Sequence, residues 1–344
     1  MIPLSRRIVI PVALFMTILI VVIVVFSYDR ATPPYEAVAT RVVKDETIYF
    51  FRAYGGDAQN ALDAASICVA NIDSIIQGYP ESDVERIREN AGQLITVDPS
   101  TIYLLHMALH YHEKTYGRFT ICDANARQAY GIPGGEVNEG LVGALVNDPG
   151  LGGLSIHYSD LSAGIAEGTG LTLESMIRAY SADQAASVLK DYNITSAYLL
   201  MGDEAVAIGE RPDGGWFSYQ VPHPDGPGVL GIVLLKNQAI STVGARDGVV
   251  KIGRREYPGV IDPITMAPVD YGIKSVTVVA RDALEATALA TALMAMEMGE
   301  GIALLRNFAG AEAVFVLQDG TIYRTPGLEK HFSLRADDYR MMGN

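Results

Sequence analysis

From Ile8 to Phe26 the chain carries 19 consecutive residues without a charge, most of them Ile, Val or Leu. As a helix, such a run reaches roughly 28 Å, about the hydrocarbon thickness of a bilayer. Arg6 and Arg7 precede it, and Asp29 and Arg30 follow. Positive flanks stay in the cytoplasm, which predicts a single-pass anchor with the rest of the chain on the far side of the cell membrane. A cleaved signal peptide is the rival reading. The run is longer than the ~7–15-residue apolar core of such peptides, and no clean small-x-small cleavage site follows it. The expectation is a transmembrane signal anchor over residues 1–30, a tether over 31–46 stiffened by Pro33 and Pro34, and a folded domain over 47–335.

The 344 residues are 49% hydrophobic and 19% charged, enough to bury a substantial core. Forty acidic residues against 26 basic ones give a net charge of −14. That surface repels nucleic acid, so nucleic acid is excluded as a partner. Cys68 and Cys122 are too few for a disulfide framework and lack metal-ligand spacing. They read as small buried hydrophobes, with one disulfide left open. His106 and His110 have the i, i+4 spacing of a chelating pair, but no third ligand stands at a fitting interval. They and His112 therefore read as helix-surface or packed histidines.

Residues 47–54, rich in aromatic and β-branched side chains, predict a first strand. Ala61, Ala65, Cys68, Ile72, Ile75 and Ile76 recur at helical spacing and predict an amphipathic helix over 58–76. A second helix is expected over 101–116, ended by Gly117. The glycine-rich stretch 131–170 reads as loop and lacks the ending of a phosphate-binding P-loop. A helix over 171–190, a strand pair over 197–208 broken at Gly202, and strands at 230–234, 275–279 and 313–317 follow. A strong helix is expected over 283–298, opened by a capping box of Asp282 and Glu285. Trp216 reads as a packed aromatic at a strand start. Mixed elements along the whole chain predict an α+β or α/β domain.

Six stretches, in order, carry a family resemblance. Ala61 to Gly92 ends in E-S-D-V-E-R-I-R-E-N-A-G. Leu171 to Ala186 reads L-T-L-E-S-M-I-R-A-Y-S-A-D-Q-A-A. Met201-Gly202-Asp203 stands where a G-G-D is expected. Ala239 to Gly244 reads A-I-S-T-V-G, Val260 to Pro268 reads V-I-D-P-I-T-M-A-P, and Ser275 to Gly299 contains A-T-A-L-A-T-A-L. Together they resemble the ApbE family of FAD:protein FMN transferases. The resemblance implies an α+β domain of mixed sheets flanked by helices. It implies FAD as substrate with Mg²⁺, and transfer of FMN to a Thr or Ser hydroxyl of an exported or membrane flavin-accepting protein.

By the same resemblance Thr291 and Arg178 fall at catalytic positions. Tyr79, Ser82, Tyr180, Ser181, Gly202, Asp203, Thr242 and Asp262 fall at flavin-binding positions, and Ser181, Thr287 and Thr291 at metal positions. Thr287 and Thr291 are four residues apart and so share one helical face. Six positions depart from the family pattern. Thr287 and Thr120 replace Asp, Gly259 replaces His, Arg178 replaces Lys, Met266 replaces Gly and Leu199 replaces Asn. At position 287 a neutral hydroxyl stands in for a hard anionic oxygen, which predicts weak Mg²⁺ binding. A catalytically silent, membrane-anchored scaffold that binds flavin or a partner is the alternative function.

Overall fold

The computed structural model describes residues 36–42, 48–76, 79–244 and 248–343. The apolar run at 8–26 lies outside them. No helix among the described residues is long and apolar enough to cross a membrane.

A nine-stranded sheet organises the domain: β1 (Glu36–Val42), β2 (Ile48–Tyr54), β3 (Ser196–Met201), β4 (Glu204–Ile208), β5 (Gln238–Val243), β6 (Ile273–Ala280), β7 (Glu312–Leu317), β8 (Thr321–Arg324) and β9 (Arg340–Met341). Spatial order follows chain order. Every neighbouring pair is antiparallel except β8 with β9. Residues 36–42, assigned above to the tether, are strand β1, and they pair with β2 from Glu36↔Tyr54 to Val42↔Ile48. The hairpin supplies the backbone partners that a tether leaves to water.

The strands alternate sides as their period of two requires. Val276, Val278 and Ala280 of β6 face one core, and Val279 faces the other. Against the first face pack α1 (Ala58–Ile76), α2 (Pro99–Lys114), α3 (Glu174–Asp191) and α4 (Ala283–Met294). The second face is covered by a three-stranded antiparallel sheet of Phe217–Pro222, Val229–Leu235 and Phe332–Leu334. Its Phe217, Tyr219, Val233 and Phe332 pack on Ala205, Ile240, Val279 and Val314. The expected α+β architecture is present. Trp216, just before the first of these strands, stacks on His331 with ring centroids 4.3 Å apart.

In α1 the buried stripe is Ala58, Ala61, Leu62, Ala65, Val69, Ile72 and Ile76, while Ile75 is exposed. α4 is buried at every position but Thr291 and lies at the centre, between α3 and strands β5 and β6. Its small residues (Ala283, Ala286, Ala288, Ala290, Ala292) permit that close approach. Two aspartates satisfy its first amides. Asp282 accepts from Glu285 N at 2.8 Å, and Asp183 of α3 accepts from Ala283 N and Leu284 N at 2.8 and 3.0 Å. The reciprocal half of the expected capping box is absent, because Glu285 turns to Arg281 at 3.1 Å. Asp282→Ala should cost about 1 kcal/mol in denaturant unfolding. An unchanged midpoint would mean that Asp183 alone suffices as the cap.

Two expectations need correction. The helix over 283–298 stops at Met294, and a separate α5 (Met298–Leu305) follows. Arg118 Nη1 donates to the carbonyl of Ala295, the C-cap residue, at 2.8 Å, satisfying a group that the helix end leaves without an intrahelical partner. The stretch 131–170 contains a short helix, Glu139–Ala144, and strands Leu154–His157 and Ser162–Ile165. The latter pairs with Ile95–Thr96, too distant in sequence for local pattern to reveal. Gly164 permits this contact, since a Cβ there would sit 2.1 Å from the Gln93 carbonyl oxygen. Cys68 and Cys122 are both free.

Candidate functional site

A cleft opens where four parts of the fold meet. The start of α3 contributes Glu174, Ser175 and Arg178, and the preceding Thr172. The β3–β4 turn contributes Asp203 and Glu204, and the end of β5 adds Thr242 and Val243. The centre of α4 contributes Thr287 and Thr291. The segment around helix Ala124–Ala129 closes the wall with Thr120, Asp123 and Arg127, opposite Val260, Ile261 and Pro263.

The β3–β4 turn is held from below. Gly202 takes φ 66°, a left-handed conformation that glycine adopts without a Cβ clash. Asp203 O accepts from Thr242 N at 3.1 Å and from the Tyr219 hydroxyl at 2.9 Å. Burial raises Tyr219 well above the usual phenol range, so it remains a donor. Thr242 Oγ1 lies 3.1 Å from that hydroxyl and 2.9 Å from Thr277 Oγ1. Glu204 is 2% exposed, and its Oε2 meets Arg178 Nε at 3.2 Å. Arg127 Nη1 reaches the Gly259 carbonyl at 3.4 Å. Asp123 is raised to about 6, chiefly by burial; the guanidinium of Arg127 opposes the shift and Glu174 adds to it.

Of the residues singled out in the sequence, Arg178, Asp203, Thr242, Thr287 and Thr291 line this cleft. Gly202 shapes the turn behind it. Tyr79 stands exposed, and Ser82 precedes helix Asp83–Glu89 with a buried hydroxyl that makes no capping bond. Tyr180 packs on Tyr103, ring centroids 5.6 Å apart. The Asp262 carboxylate turns away from the cleft, accepting from Ile264 N and the Tyr271 hydroxyl at 2.8 Å each. Sequence reasoning missed Asp123, Arg127, Glu174 and Glu204. Glu204 left a signal, a lone carboxylate in the apolar strand E-A-V-A-I.

The implied Mg²⁺ position can be tested on its donors. Thr287 Oγ1 and Ser181 Oγ are buried without partners, and Thr291 Oγ1 donates to Thr287 O at 2.9 Å. All three are neutral hydroxyls, whereas Mg²⁺ is held through one or two carboxylates together with phosphate oxygens. The donor set does not fit Mg²⁺. Two of the three histidines of α2 are hydrogen-bonded elsewhere: His106 Nδ1 meets the Tyr158 hydroxyl at 2.9 Å, and His112 Nδ1 the Phe119 carbonyl at 2.7 Å, while His110 packs edge-on against Tyr111. Far from the cleft His223, Asp225 and Asp338 converge, but Lys274 already neutralises Asp225 at 2.7 and 2.8 Å.

Comparison with known proteins agrees with the fold and the motifs. The ApbE family model matches residues 42–315. An FAD:protein FMN transferase of Treponema pallidum is 25% identical over 277 residues, 72% of this chain and 74% of that one. The flavinyl transferase ApbE of Pseudomonas stutzeri in its apo form superposes with a TM-score of 0.76 at 23% identity, covering 89% of this chain and 99% of that one. The ApbE protein of Thermotoga maritima gives 0.75 at 20% identity, over 87% and 99%. With the family model spanning most of the domain, and six of its motifs in order along it, this chain belongs to the ApbE family.

Proposed function

We propose that the protein binds FAD in this cleft and transfers FMN from it to a Thr or Ser hydroxyl of a partner redox protein, slowly. The observation that carries the reading is the convergence of five resemblance-derived positions, Arg178, Asp203, Thr242, Thr287 and Thr291, on one cleft of the matched domain. Arg178 supplies a planar guanidinium suited to phosphate oxygens. The hydroxyl oxygen bonds to the phosphorus of the FMN half, and the bond from that phosphorus to the bridging oxygen breaks. AMP leaves with the bridging oxygen and its electron pair. Mg²⁺ would neutralise phosphoryl charge in such a reaction, but the neutral donors at 181, 287 and 291 do not suit it.

The test is direct. Full-length protein in detergent, incubated with FAD, Mg²⁺ and a flavin-accepting protein, should yield a weak fluorescent band on a denaturing gel under ultraviolet light, growing over hours. No band with FAD binding intact, measured by flavin quenching, would favour the silent scaffold. That second reading has its own support in Thr287 and in the Arg178 charge already paired to Glu204.

The apolar run at 8–26 supports an anchor that places the domain outside the cytoplasm, where exported redox proteins are the available acceptors. Protease added to spheroplasts should digest the domain. Protection until lysis would reverse this orientation.

A further inference from the structure

Resting on the transfer reaction above, the attacking hydroxyl must lose a proton, and some group in the cleft must receive it. A positioned base is worth roughly 10²–10⁴-fold in such a step. No histidine is among the residues lining the cleft, and the position where the family places one is Gly259. Among the described residues four carboxylates line it: Asp123, Glu174, Asp203 and Glu204. Glu204 is buried against Arg178, and its charge is committed to that guanidinium. Glu174 is exposed on the first turn of α3, where water competes for its lone pairs.

Asp123 differs from Glu174 and Glu204. It stands half-buried at the N-cap position of helix Ala124–Ala129, its side chain makes no capping bond, and the residue lines the cleft. Arg127, one turn along the same helix, bridges to the Gly259 carbonyl and so is held across the opening. Burial and the neighbouring Glu174 raise Asp123 to about 6, while Arg127 opposes them. The group is thus ionised at neutral pH and still basic enough to accept a proton, as a base working near neutrality requires.

We propose that Asp123 is the proton acceptor of the transfer: its carboxylate takes the hydroxyl proton of the incoming Thr or Ser as the bond to phosphorus forms, and later releases it to solvent. Among the described residues, the charged groups that line the cleft with it are Arg127 on its own helix, Glu174 and Arg178 of α3, and Asp203 and Glu204.

The experiment compares full-length wild type with Asp123→Asn and Asp123→Glu, using FAD, Mg²⁺ and a flavin-accepting protein from about pH 5 to 8. The wild-type rate should be lost as pH falls through about 6, with unit slope, because the base is then protonated. Asp123→Asn should lower the rate about 100-fold and abolish that limb, with FAD affinity by quenching changed less than about threefold. Asp123→Glu should recover at least about tenfold of the loss. An Asn variant with near wild-type rate, or with the acid limb unchanged, overturns the assignment while leaving the transferase reading standing. An Asn variant that loses FAD binding or its cooperative melt also overturns it, since Asp123 would then be structural. No transfer by wild type at all overturns both readings.

Discussion

Thr287→Asp should make the stability of the protein depend on Mg²⁺, which that of the wild type should not. Thr287 is 1% exposed on the central helix α4, and its hydroxyl has no partner. A carboxylate buried there without a counter-ion costs on the order of 3 kcal/mol, so the variant should melt several degrees lower in EDTA. Mg²⁺ binding only the folded form should restore that loss, by about 2.7 kcal/mol at 100 times its Kd. Transfer should rise at least about tenfold in Mg²⁺, because charge on the phosphoryl oxygens is then stabilised, and EDTA should remove the gain. Adding Gly259→His should raise it further. Differential scanning fluorimetry with and without Mg²⁺, followed by the gel assay, reads both effects. A variant indifferent to Mg²⁺ would show that position 287 does not face a cation site.

Arg178→Ala should destabilise the fold as well as weaken the site. Glu204 is almost wholly enclosed, and Arg178→Ala takes a positive charge from beside that buried carboxylate. Breaking such a pair from one side costs about 3–5 kcal/mol; with the Arg178 side chain 29% exposed we expect the lower end. Glu204→Gln should cost less, since the guanidinium left behind opens onto the solvated cleft. Combining Glu204→Gln with Arg178→Ala should recover most of the Arg178→Ala loss, because the side chain at position 204 is then neutral. Urea unfolding of the three variants measures this, and equal losses in both single variants would contradict the asymmetry. FAD binding should weaken in Arg178→Ala, since a cation near the phosphates is gone.

Some of this was legible in sequence because its causes are local. The stripe of α1 has a period set by the helix, so its face could be read, although Leu62 and Val69 complete it in place of Cys68 and Ile75. Asp282 announced the start of α4 because a cap acts within three residues. Arg178, Thr287 and Thr291 were found through motif order, which carries family membership rather than geometry. Strand β1 reads as a tether in sequence because its strand character comes from pairing with β2, which local composition does not show. The carbonyl at the end of α4 is met by Arg118, 177 residues away in sequence, a contact that no local pattern shows.

The sequence by itself thus determined the family, the mixed α+β class, the central apolar helix and the neutral hydroxyl at Thr287, each a property of one position or of one periodic stretch. Only the tertiary structure decided that Asp123, Arg178 and Glu204 share one cleft while the Asp262 carboxylate turns away to Tyr271. The physical reason is that burial and pairing arise between segments distant in the chain. The charge of Glu204 is paired because α3 presents Arg178 to β4, and the basicity of Asp123 comes from the protein packed around it.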